Sequence, residues 1–149
     1  MEKYGLISEL KSYAEENQMA WIYGDNFHRN IELSKNQLID NQLILGSDPF
    51  IAIPKFTNHG KLEAITYNGL MLLGIYTDVI KSTIDETYQQ KYDNRLKELM
   101  QLLSTHIIAF SCDNELTILN SQFELSINTY DENIDFVLCS ISLLDEKLS

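Results

Sequence analysis

Apolar residues recur at every third or fourth position in two parts of the chain, and each stripe predicts a helix. The first stripe, Leu6–Ala14, has polar and charged residues between its members and predicts a helix over about residues 3–17. The second stripe, Tyr88–Ile107, predicts a long helix over about residues 84–108. One face of the long helix is expected to pack on a sheet, while its other face meets solvent.

Strands are predicted where apolar and polar residues alternate, or where turn residues bound an apolar run. The run Leu70–Tyr76 follows the turn pair Asn68-Gly69, is apolar on both faces and predicts the centre of the sheet. A phase shift near Asn120-Ser121 predicts a bulge. The predicted strands cover residues 19–23, 27–33, 50–53, 54–56, 62–67, 70–76, 116–127 and 135–144.

The segment around Pro54 is predicted to form a hairpin at the edge of the sheet. Pro49 and Pro54 lack the N–H group that a central ladder requires, so the strand between them belongs at an edge. The turn Thr57–Lys61 then joins residues 54–56 to residues 62–67. Because exposed edges attract pairing partners, this segment is either a subunit interface or buried in its own sheet. The candidate interface residues are Phe50, Ile51, Ile53, Phe56 and His59.

The order of these elements predicts an α+β fold, with a mostly antiparallel sheet packed against one long helix and a short N-terminal helix beside it. The chain has 149 residues, of which 44% are hydrophobic and 22% charged, so it has the size of one domain and can bury a core. No repeat, linker or low-complexity tract divides it, and residues 1–149 are predicted to form a single domain.

The charge of the chain disfavours nucleic-acid binding. Acidic residues outnumber basic residues by 22 to 11, which gives a net charge of -11. A protein of this charge repels the phosphates of DNA and RNA.

Three further patterns predict folding in the cytoplasm without membrane insertion. Cys112 and Cys139 belong to no CxxC pair and are expected to stay reduced. The N-terminus lacks the pattern of a secretory signal. The longest apolar stretch, Gly69–Tyr76, is far shorter than the roughly 20 residues that cross a bilayer.

The sequence contains no motif that predicts catalysis or cofactor binding. No serine or cysteine lies in a G-x-S-x-G elbow, and no G-x-x-x-x-G-K follows a strand. The acidic run Asp131–Asp135 resembles the start of a calcium loop, but Phe136 and Ser142 stand where that loop needs glycine and a bidentate carboxylate. We therefore predict a polar turn there, and no catalytic residue, cofactor or metal in the protein.

The histidines are expected to have structural roles. His28, His59 and His106 form no i, i+4 pair, and none accompanies a cysteine at zinc spacing. His59 falls at the predicted hairpin tip. His106 is expected near the C-terminus of the long helix, where its charge would interact favourably with the helix dipole.

Four segments carry a likeness to a known family: Leu6–Ala14, Leu62–Thr77, Arg95–Met100 and Asn133–Cys139. With the order of elements across nearly the whole chain, they resemble the tail terminator, or tail-completion, proteins of tailed bacteriophages. Members of that family are small α+β proteins that assemble as rings, cap the tail tube, stop its polymerisation and present a surface to the neck.

The resemblance implies a structural virion protein without catalysis, either a tail terminator or a neck ring component. Its expected partners are further copies of itself in a ring, a hexamer or a dodecamer, together with tail tube and neck or connector proteins. The genome would pass through such an acidic ring without specific binding. The implied location is the tail or neck of the virion, after assembly in the host cytoplasm.

Two other classes of protein stay open. An acidic inhibitor that mimics DNA would display a dense stripe of carboxylates, whereas lysines such as Lys55, Lys91 and Lys97 interrupt the acidic positions. A small enzyme could build its cleft from residues far apart in the sequence, which motifs do not reveal. A stable ring in solution would favour the tail terminator, and a monomer that blocks a nuclease would favour the inhibitor.

Overall fold

The structure is a computed structural model that describes residues 5–24, 39, 41–76, 95–126 and 134–147. Within these ranges the helices are α1 (Leu6–Glu16) and α2 (Lys97–Asp113). The strands are β1 (Ala20–Tyr23), β2 (Leu43–Ser47), β3 (Ile51–Phe56), β4 (Leu62–Tyr76), β5 (Thr117–Ser126) and β6 (Ile134–Asp145).

The six strands form one sheet around the long central strand β4. The order is β1-β2-β4-β6-β5, and β3 also pairs with β4. Residues 62–68 of β4 pair with β3 and residues 71–75 pair with β2 on the same side, while β6 occupies the other side over residues 65–76. Among the pairings of the six described strands, only that of β1 with β2 is parallel. The predicted α+β fold with a mostly antiparallel sheet is confirmed, and the sheet is mixed.

The two faces of the sheet carry separate apolar clusters. On one face α2 buries Leu99, Leu103, Ile107 and Phe110 at helical spacing, in one cluster with Leu73 of β4. The helix α1 adds its buried residues Leu6, Leu10 and Ala14 to this cluster. The second cluster consists of Ile22, Ile44, Leu72, Ile134 and Phe136. Each fully buried leucine or phenylalanine contributes roughly 1.5–3 kcal/mol to folding.

The long helix is only partly as predicted. Residues 84–94 of the predicted range 84–108 lie outside the described residues, so one continuous helix is not shown. A π-helical turn at residues 95–96 leads into α2, which runs to Asp113 instead of ending near residue 108.

The end of α2 is set by a local change of backbone conformation. Asn114 donates both its backbone N–H and its side-chain amide to the carbonyl oxygen of Phe110. Glu115 then adopts a left-handed conformation with φ 55, which cannot continue a right-handed helix. Because Phe110 is still buried in the core, apolar burial carries the helix past the predicted boundary.

The predicted turn at Asn68-Gly69 is wrong, because β4 passes through both residues as one strand. A Cβ atom on Gly69 would lie 2.6 Å from Cγ of Phe50, so glycine allows the Phe50 ring to cross the strand. This glycine therefore serves a close approach and not a turn.

Two other predictions about strands are confirmed. A turn joins β3 to β4 at residues 57–61, and a bulge interrupts β5 between Ile118 and Asn120, beside its predicted position. The predicted strand over residues 27–33 and the start of the polar turn, residues 131–133, lie outside the described residues.

Candidate functional site

The hairpin arm, which we define as residues 51–62, exposes several large apolar side chains. All six residues of β3 are exposed. The exposed fractions of Ile51, Ile53 and Phe56 are 66%, 48% and 58%. Large apolar side chains grouped on a surface typically mark a site of interaction with another molecule.

The tip of the arm is held by hydrogen bonds to and from Thr57. Its backbone N–H donates to the carbonyl oxygen of Lys61 at 2.8 Å, and Gly60 N–H donates to the Thr57 carbonyl at 2.9 Å. The N–H of Lys61 also donates to Oγ1 of Thr57 at 3.1 Å. Gly60 has φ 79, a conformation that glycine adopts without strain. The arm is therefore a preformed hairpin.

Two residues of β3 limit how this edge can pair with another strand. Within the described part of the chain, β3 pairs only with β4. Pro54 lacks an N–H, and Lys55 places a charge on the strand, features that limit uncontrolled pairing at exposed edges. The arm is consequently better suited to side-chain contacts than to a long backbone ladder.

The structure divides the predicted interface residues into two groups. Ile51, Ile53 and Phe56 are exposed on β3, and His59 is exposed in the turn at the tip. Phe50 precedes β3, is partly buried and packs against the main core across Gly69. The arm thus brings four of these residues onto one exposed element, while Phe50 anchors its base.

A second apolar surface, which the sequence did not predict, lies at the opposite edge of the sheet. We call it the α2–β5 groove; it encloses about 220 Å³ and is lined by Ser104, Ile107, Ile108, Ile118, Ser121 and Phe123. Ile108 is 56% exposed. The sequence offers one sign of this groove, because Ile108 is an apolar residue of α2 that lies outside the stripe buried in the core. Its neighbours in β5 approach it only in the folded chain.

A polar contact joins the two helices beneath the sheet. The Tyr13 hydroxyl and Nδ1 of His106 share a hydrogen bond of 2.6 Å. Burial lowers the pKa of His106, and burial together with the charge of Asp113 raises the pKa of Tyr13. The expectation that His106 lies at the helix end is wrong, because α2 continues to Asp113.

An ion pair joins the turn before α2 to the first residues of β6. Nε of Arg95 lies 2.9 Å from Oδ2 of Asp135, and the Asp135 side chain is almost fully buried. Arg95 also lines a cavity of about 220 Å³ with Leu43, Leu99 and other residues. A buried carboxylate held by a guanidinium fixes the position of both elements.

Other chemical groups are dispersed through the described structure. Cys112 is exposed, whereas Cys139 is buried and its burial raises the pKa of its thiol. Among the residues in the described ranges, no three His, Cys, Asp or Glu side chains group so as to hold a metal ion. None of the helices in those ranges is long and apolar enough to cross a membrane.

Comparisons with known proteins give no assignment. No protein-family model matches the chain, and no curated protein matches it.

Proposed function

We propose that this chain is a structural subunit of a bacteriophage tail, a tail terminator or neck ring component. It acts by joining copies of itself into a ring and by binding tail tube and neck proteins. The observation that carries the proposal is the hairpin arm, whose apolar residues Ile51, Ile53 and Phe56 are exposed on a preformed element.

The charge of the chain supports this role. A ring of copies that each carry a net charge of -11 would surround its channel with negative potential. Such a channel repels DNA phosphates, so a genome would move through it without being held. The acidic surface would also keep unassembled copies soluble in the host cytoplasm.

Size-exclusion chromatography with light scattering, followed by negative-stain electron microscopy, tests the proposal. We expect a mass several times that of one chain and annular particles. A chain that stays monomeric at the highest soluble concentration would contradict the proposal, and inhibition of a nuclease by that monomer would instead support a DNA mimic.

A further inference from the structure

We draw no further inference here: the strongest candidate, the apolar α2–β5 groove beside the exposed Ile108, carries no proposal, because nothing in the structure shows what covers it.

Discussion

His106, which contacts Tyr13 of α1, couples the stability of the fold to pH through its burial. Burial lowers the pKa of His106 in the folded chain below 6.5, so the unfolded chain binds this proton more readily. The stabilisation is fully present above pH 6.5 and is lost as the pH falls through the folded-state value. We expect the free energy of unfolding to fall less between about pH 7.5 and 5.5 in His106→Gln than in the wild type.

Urea unfolding at several pH values measures this difference. Tyr13→Phe is the matched control, because it removes the hydroxyl but keeps the titrating imidazole. Equal pH dependence in the wild type and His106→Gln would contradict the expectation.

Gly69 should tolerate no side chain while Phe50 is present. The Cβ of Gly69→Ala would lie 2.6 Å from Cγ of Phe50, and the displacement of this ring should cost about 1–3 kcal/mol of unfolding free energy. In a Phe50→Ala background the same substitution should cost much less, which a double-mutant cycle by urea unfolding measures.

Gly60→Ala is the control for this cycle. No heavy atom would lie within 4 Å of its Cβ, but its φ of 79 strains any L residue by about 1 kcal/mol. That cost should not depend on Phe50. A cost at Gly69 that is equally independent of Phe50 would show that backbone flexibility, not close approach, requires this glycine.

At the scale of elements, the pair of Arg95 and Asp135 holds the start of α2 against β6. Arg95→Met should lower the free energy of unfolding by about 3 kcal/mol, because the buried Asp135 carboxylate loses a guanidinium at 2.9 Å. Arg95→Met with Asp135→Leu should recover part of the loss, since the carboxylate that lost its partner is then removed as well. Chemical denaturation of the single and double variants measures both effects, and a double variant no more stable than Arg95→Met would contradict this account.

Periodicity predicted the type of several elements better than their ends. The stripe around Leu10 and the alternation around Val137 predicted α1 and β6 nearly in full, because one face of each is buried in the core. The end of α2 and the continuity of β4 were predicted wrongly. Both depend on tertiary contacts, the burial of Phe110 and the crossing of Phe50 over Gly69, which local pattern does not contain.

Of the two candidate surfaces, the sequence predicted the hairpin arm but not the α2–β5 groove. Two prolines and an apolar pattern predicted an edge strand. The structure places Ile51, Ile53 and Phe56 on the exposed strand β3. The groove depends on Ile108 of α2 meeting Phe123 of β5, and no sequence spacing links these two residues. Subunit contact through the hairpin arm stays a prediction.

The whole molecule should not bind DNA. Its net charge of -11 repels DNA phosphates, so the protein would not displace the condensed counterions whose release drives association with DNA. We expect no retardation of duplex DNA in gel mobility assays, even at low ionic strength, where attraction would be strongest. A shifted band that weakens as salt is added would contradict this expectation and the acidic channel of the proposed ring.

The longest ladder of the sheet joins two segments that are distant in the chain. β4 pairs with β6 from Ile65 opposite Asp145 to Tyr76 opposite Ile134. During synthesis, β6 leaves the ribosome only after β4 and the whole of residues 77–133. A nascent chain that ends before residue 134 therefore leaves the β6 side of β4 without its native strand. A pause in translation between these two strands should expose that edge to chaperone binding and to aggregation.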